Sequence, residues 1–226
     1  MSPGNAVPTA LAVIAALGAS AVGLPAHAAE AQAPRQVVLR CGRLIDGKSQ
    51  GTAENALVLV EGDRIKQVGP GLTVPAGAQV VDLGGFTCLP GLIDNHTHIL
   101  LQGDITTADY DAQLLKESIP YRTIQATMAA RTALMNGFTT LRDLETEGAM
   151  YADVDVKNAI NRGVIPGPRM FVATRALAPT GMYPLFGYSW ELRMPEGVQI
   201  VDGADGVRRA VREQVKYGAD WIKYYS

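Results

Sequence analysis

Between residues 36 and 88, apolar and polar positions alternate in short runs. "QVVLRC", "ALVLVEG", "RIKQVG" and "AQVVDLG" carry β-branched residues at this period, and "DG", "EGD" and "GPG" punctuate the chain around them. Period two with glycine-bearing turns predicts strands. The expected result is a compact antiparallel β unit of about 50 residues, too small for a comfortable core of its own and so packed against a larger body.

From residue 89 the rhythm changes. "GLIDNHTH" reads as a buried strand, and "ESIPYRTIQATMAARTALMNG" has apolar residues at three- and four-residue spacing with Gly137 as its stop, which predicts a helix. "FTTLRD", "RMFVAT" and "ADWIKYY" read as further strands, and "VDVKNAINRG" and "ADGVRRAVREQVKYG" as further helices. A long irregular stretch from Arg175 to Gly203 separates the third strand from the last helix. Strands alternating with helices imply right-handed crossovers and a parallel sheet. An eight-stranded β/α barrel takes about 250 residues, or roughly 31 per unit, so residues 89–226 would hold about four units. The expected fold class is therefore α/β, with the first half of a (β/α)8 barrel. A parallel sheet ending on an uncovered strand at Ser226 is a poor stopping point, which predicts a truncated barrel.

The first 28 residues belong to neither pattern. "ALAVIAALGASAVGL" followed by Ala26-His27-Ala28 has the apolar run and small-x-small site of a secretory signal peptide, although no basic residue precedes the run. About 15 apolar residues is short for a membrane span. The expectation is export to a bacterial periplasm or beyond, with no stable membrane anchor after leader removal; an uncleaved anchor is the alternative.

Composition narrows the partners. The chain is 47% hydrophobic and 19% charged with a formal net charge of -2, a globular balance without the basic face that nucleic acid or an anionic membrane would require. A homo-oligomer is compatible with this balance. Cys41 and Cys88 are the only cysteines, and two buried free thiols are expected in preference to a bridge. Neither belongs to a close Cys or His pair, so they do not read as metal ligands.

Of three histidines, His27 falls in the leader and His96 and His98 stand one residue apart. On a strand they project to the same side. At the C-terminal end of a first barrel strand, that side is the mouth where such enzymes place their chemistry. Two neutral imidazoles there can bind a divalent ion and leave positions open for water and substrate; a hydrogen-bonding pair is the alternative. Asp94 shares their parity and is assigned no role. Arg142 and Asp143, at the end of the second strand, read either as substrate contacts or as a local ion pair or helix cap. The loop from Arg175 to Met194 carries Tyr183, Phe186, Tyr188 and Trp190, a pocket wall or lid in one reading and packing against outer helices in the other.

"GGFTCLPGLIDNHTH" resembles the signature of the amidohydrolase superfamily, and "NGFTTLRDL" and "GADWIKYY" resemble the second and fourth strand segments of its imidazolonepropionase-like and Xaa-Pro-dipeptidase-like branch. "TRALAPTGMYPLFGYSWELRMPEGVQ" is similar to the exported carboxypeptidase-like members, including those degrading ochratoxin. The resemblance covers residues 36–226. It implies a small β-sandwich at residues 36–88 joined to a metal-bearing TIM barrel. It implies that His96 and His98 hold the more buried of two divalent ions, zinc being the expected metal. Lys223 would carry carbon dioxide as a carbamate whose two oxygens bridge the ions. A metal-activated hydroxide would then attack the amide or peptide C–N bond of a small-molecule or short-peptide substrate, with Arg142, Asp143, Tyr183 and Tyr188 as candidate substrate contacts. The general-base aspartate and two further histidines would follow Ser226. "TGMY" at residues 180–183 replaces the "TGGH" common in that branch, so no histidine carries over there. The alternatives are a strand-end lysine whose stem lies along apolar surface at Lys223, a mononuclear deaminase that needs no bridging lysine, and a non-catalytic half barrel, either inactive or paired with a separate C-terminal chain.

Overall fold

The computed structural model describes residues 35–103, 109–183 and 185–226. The leader expected at residues 1–28 lies outside the described residues.

Four strands form the N-terminal unit: β1 Gln36–Leu44, β2 Ala53–Glu61, β3 Arg64–Pro70 and β4 Gln79–Cys88, in spatial order β3-β2-β1-β4. The β2–β3 hairpin is antiparallel, as is β1 with β2, but β4 runs parallel to β1. This corrects the all-antiparallel expectation. After the hairpin the chain crosses back to the free edge of β1, and the alternation pattern carries no information on strand direction. Cys41 and Leu44 of β1 are buried with Ala56 and Val58 of β2. The spacing of three between Cys41 and Leu44 spans a register shift between Cys41 and Arg43. Gly42 sits at that shift, and a β-carbon there would collide with the carbonyl of Gly84 on β4.

Cys41 and Cys88 are joined by a disulfide with their α-carbons 5.8 Å apart, against the free-thiol expectation. The sequence could not supply this separation, which depends on β4 lying beside β1. The bridge closes a loop with a sequence separation of 47 residues. Reduction, or Cys88→Ser, is expected to lower the unfolding free energy by about 2–4 kcal/mol, read from the urea midpoint with and without reductant. An unchanged midpoint would mean the bridge contributes nothing.

The second unit is built on the parallel sheet β5 Leu92–Thr97, β6 Phe138–Asp143 and β7 Arg169–Val172. Its crossovers are α1 Asp109–Lys116 and α2 Ile119–Met135 between β5 and β6, and α3 Ala152–Asn161 between β6 and β7. Ser118 caps α2, Pro120 occupies its first turn, and Gly137 beyond its end has φ +92°, a conformation that favours glycine. Arg122, Ala126 and Ala130 form its buried stripe at four-residue spacing. That stripe meets Leu100, Leu141, Val156, Met170 and Val172 in the main core. Further on, β8 Leu177–Ala178 and β9 Gln199–Ile200 pair in parallel, and α4 Gly203–Lys216 follows.

Three sequence expectations change here. β5 is not buried: Leu92 is 41% and Ile93 60% exposed, because β5 has one neighbouring strand among the described residues and Ile99, Leu100 and Leu101 fill the core instead. The irregular stretch from Arg175 to Gly203 is tied at both ends by β8 and β9. The fourth strand is reduced to one bridge between Leu177 and Tyr224. At the start of that segment, Asp220 and Trp221 amides donate to Val172 O. At its end Leu177 N donates to Lys223 O and Tyr225 N to Leu177 O. The segment is thus pinned at both ends without a continuous ladder.

Candidate metal centre

The sites grow from the C-terminal ends of β5 and β6. β5 ends at Thr97, so His96 lies on it and His98 just past it. The carboxylate of Asp94 accepts from the His96 amide at 3.0 Å and bends the chain there. The two imidazole centroids are 5.1 Å apart in an edge-to-face arrangement. His96 is exposed and His98 half-buried. Burial lowers both imidazole pKa values below the ordinary range, and the Lys223 ammonium lowers them further; His98 adds to the effect on His96, as does Arg142. Both rings are therefore neutral at neutral pH, the state that binds a metal.

Lys223 Nζ stands 4.8 Å from the centroid of Tyr225, whose hydroxyl donates to Glu145 Oε2 at 2.5 Å. Its segment is anchored by Asp220, whose carboxylate accepts from Val172 N at 2.8 Å and from Lys157 Nζ at 2.6 Å. Arg142 is held by a 2.7 Å hydrogen bond from Nε to Asn95 O, and its guanidinium lies 5.3 Å from the Trp221 ring centroid. The structure therefore brings His96 and His98 together, with Arg142 spanning from Asn95 beside them to Trp221 on the segment that bears Lys223.

Asp143 is brought beneath this group, not onto it. It is fully buried, and its Oδ1 accepts from Ile99 N at 2.8 Å and Thr97 Oγ1 at 3.1 Å, fixing the turn that follows the histidines. Burial and the nearby Asp153 carboxylate push its pKa well up. Asp153 accepts from the amides of Val154 and Thr174, both at 2.8 Å, and burial raises it to about 7. A raised carboxyl pKa contributes stability that is full below the unfolded value of 3.8 and lost as pH rises through about 7. Asp153→Asn is expected to flatten this decline. Urea midpoints from pH 4 to pH 8 check it, the wild type losing more than the variant across the window; parallel curves would contradict it.

Tyr183 and Tyr188 part company. Tyr183 turns inward and donates from Oη to Glu147 Oε1 at 2.9 Å, while stacking on Tyr225 at 4.8 Å. Tyr188 donates to Asp111 of α1 at 2.7 Å, away from the histidines. Phe186 and Trp190 are 80% and 92% exposed, so they neither line a pocket nor pack on helices.

Sequence reasoning missed Glu145 and Glu147. Both are buried directly behind His98, whose Nδ1 lies 3.4 Å from Glu145 O and 3.7 Å from Glu147 Oε1. Tyr225 Oη donates to Glu145 Oε2 at 2.5 Å, and Tyr110 Oη to Glu147 Oε2 at 3.2 Å. Burial and the neighbouring Glu147 raise the Glu145 pKa to about 8; burial raises that of Glu147 as well, opposed by the Tyr183 and Tyr110 hydroxyls and the Arg122 guanidinium. The signal was "LETEG", two acidic residues at spacing two just past a strand end. One ligand atom each from His98, Glu145 and Glu147 would fit within 4.8 Å, a spacing that could also hold an ion.

Residues 87–226 match the amidohydrolase family, and the chain belongs to that family, whose fold is a TIM barrel. It is 40% identical over 77 residues to an imidazolonepropionase of Arthrobacter sp., a match covering 34% of this chain and 19% of that protein. It is 49% identical over 63 residues to a dihydroorotase of Geobacter sulfurreducens, covering 28% and 15%. Among solved structures, it resembles a Xaa-Pro dipeptidase with bound methionine in the active site, with a TM-score of 0.72 at 29% identity over 84% of this chain and 46% of that one. Ochratoxinase from A. niger gives a TM-score of 0.65 at 28% identity over 85% and 47%. The chain thus spans less than half the length of each.

Proposed function

We propose that this chain carries the first part of a metal-dependent amidohydrolase site that cleaves the C–N bond of a small amide or short peptide, in the manner of a carboxypeptidase or dipeptidase. The observation that supports the reading is the close approach of the His96 and His98 rings where the parallel strands end, with Arg142 over Trp221 and Tyr225 on Glu145 holding the Lys223 segment alongside. The donor set fits divalent ions: two neutral imidazoles and one lysine that, as a carbamate, offers two oxygens and a negative charge. Two such ions, zinc being expected, would supply the Lewis acidity that polarises the amide carbonyl and makes water a nucleophile at neutral pH. His96 and His98 would hold the more buried ion, and Lys223 would bridge the pair. Arg142, braced by Asn95 and Trp221, would bind and orient an anionic part of the substrate, and Tyr183 would close one wall.

Exposed apolar side chains on the parallel sheet, Ile93 at 60% and Phe171 at 40%, together with the 46% share of the dipeptidase structure, support a second element of the proposal. Hydrolysis draws on further β/α units that provide the general-base aspartate and two more histidines. The substrate class follows the Xaa-Pro dipeptidase and ochratoxinase likenesses. Export is part of the same reading, supported by the Cys41–Cys88 disulfide, since such bonds persist in oxidising compartments.

The test is amine release from a panel of dipeptides and N-acyl amino acids by the protein with those further β/α units present, with zinc and with a chelator. Chelator-sensitive hydrolysis that His96→Ala removes is the expected result. Hydrolysis untouched by chelator and by His96→Ala would overturn the reading.

A further inference from the structure

Among the described residues, five non-glycine residues have positive φ, and two of them, Glu147 at 49° and Tyr183 at 62°, are hydrogen-bonded to each other. Backbone in this region is unfavourable for residues with a side chain and persists where the surroundings over-determine it. Here they fix a carboxylate. Glu147 is buried, Tyr183 and Tyr110 donate one bond to each of its oxygens, and Arg122 is locked nearby by bonds to Leu100 O and Thr146 O. The atom this arrangement faces is His98 Nδ1, 3.7 Å from Glu147 Oε1.

We propose that Glu147 is a positioning residue for His98, holding the imidazole as the Nδ1–H tautomer so that Nε2 presents its lone pair to the metal; this rests on the reading of His98 as a ligand. A neutral imidazole has one donor and one acceptor nitrogen. Both groups facing Nδ1, the Glu145 carbonyl and the Glu147 carboxylate, are acceptors. The proton therefore sits on Nδ1, and Nε2 is left for coordination. Glu145 acts at a different point: through Tyr225 it anchors the segment that bears Lys223.

The alternative occupant is an ion held directly by His98, Glu145 and Glu147. Three of the four carboxylate oxygens already accept tyrosine hydroxyls, and Glu145 Oε1 alone has no hydrogen-bond partner. The cluster is nearly satisfied without an ion.

Long-range 1H–15N correlation spectra of the 15N-histidine-labelled, metal-free full chain read the tautomer directly, and chelator competition reads zinc affinity. Wild-type His98 is expected to be protonated on Nδ1. Glu147→Gln, which keeps the shape and loses the charge, is expected to mix the tautomers and weaken zinc binding by about 10–100-fold. If that variant does not fold, Tyr183→Phe, which removes one donor from the carboxylate, carries the test in the same direction. Wild-type His98 protonated on Nε2 would overturn the inference, as would unchanged tautomer and affinity in both variants. In protein labelled with 13C in its glutamate side chains, zinc that shifts the Glu147 and Glu145 carboxylate resonances while sparing His96 would also overturn it, in favour of the direct ion site. An Nδ1–H tautomer that is lost in Glu147→Gln, in a protein that fails to bind zinc, would uphold the positioning role and sink the ligand reading.

Discussion

His98→Ala is expected to weaken zinc binding by more than about 100-fold, beyond the loss from disturbing a group behind a ligand. The side chain is half-buried between His96 and the Glu147 carboxylate, so its removal takes away one coordinating nitrogen and leaves the site open to water. The fold should survive. Glu147 retains Tyr110 and Tyr183, and the turn after β5 retains the Asp143 bonds to Ile99 and Thr97. The expected signature is therefore lost metal with far-UV circular dichroism unchanged. His96→Ala should behave alike with even less structural cost, because that ring is exposed. Competition with a chromophoric chelator measures both. Wild-type affinity in both variants would contradict a metal role for this pair.

Lys223→Ala is expected to have the second-largest effect. In the proposed site, a carbamate on Lys223 would give one oxygen to each of two ions and add negative charge between them. Without it, in a protein that also carries the further β/α units, zinc stoichiometry should fall from two toward one, and the mass of one carbon dioxide expected on the unsubstituted protein should be absent. Because the missing part is a carboxylate-like pair of oxygens, added acetate should restore part of the second zinc. Native mass spectrometry and metal analysis read these outcomes together. The backbone should tolerate the change: the segment is held by Asp220 at one end and by the Leu177 and Tyr225 bonds at the other, none of which uses the lysine side chain. Equal stoichiometry in wild type and variant, with no added mass on either, would leave Lys223 without a bridging role.

The parts of this account that were legible in the sequence are those carried by period and by punctuation. α2 follows its three- and four-residue apolar spacing and ends at Gly137, and β6 coincides with "FTTLRD". His96 and His98 stood out through rarity and spacing, and the structure brings their rings together. What stayed hidden depends on contacts between distant residues. The parallel pairing of β4 with β1 and the Cys41–Cys88 bridge require a crossover that alternation does not encode. "ADWIKYY" has strand composition, yet its hydrogen bonds go to Val172 and Leu177 and form no ladder. Nothing in "LETEG" signals that Glu145 and Glu147 are buried; they are, because tyrosines from α1, the 175–194 loop and the last segment converge on them. Tyr188 and Tyr183 looked equivalent in one aromatic loop. Only the second reaches the histidines' neighbours.

Zinc K-edge X-ray absorption of the metal-loaded chain tests the central claim most directly. Imidazole scattering from two histidines on an otherwise oxygen-rich zinc is expected, reduced by one ring in His96→Ala and by one in His98→Ala. Zinc bound with no imidazole contribution, or with a spectrum that neither substitution changes, would contradict it.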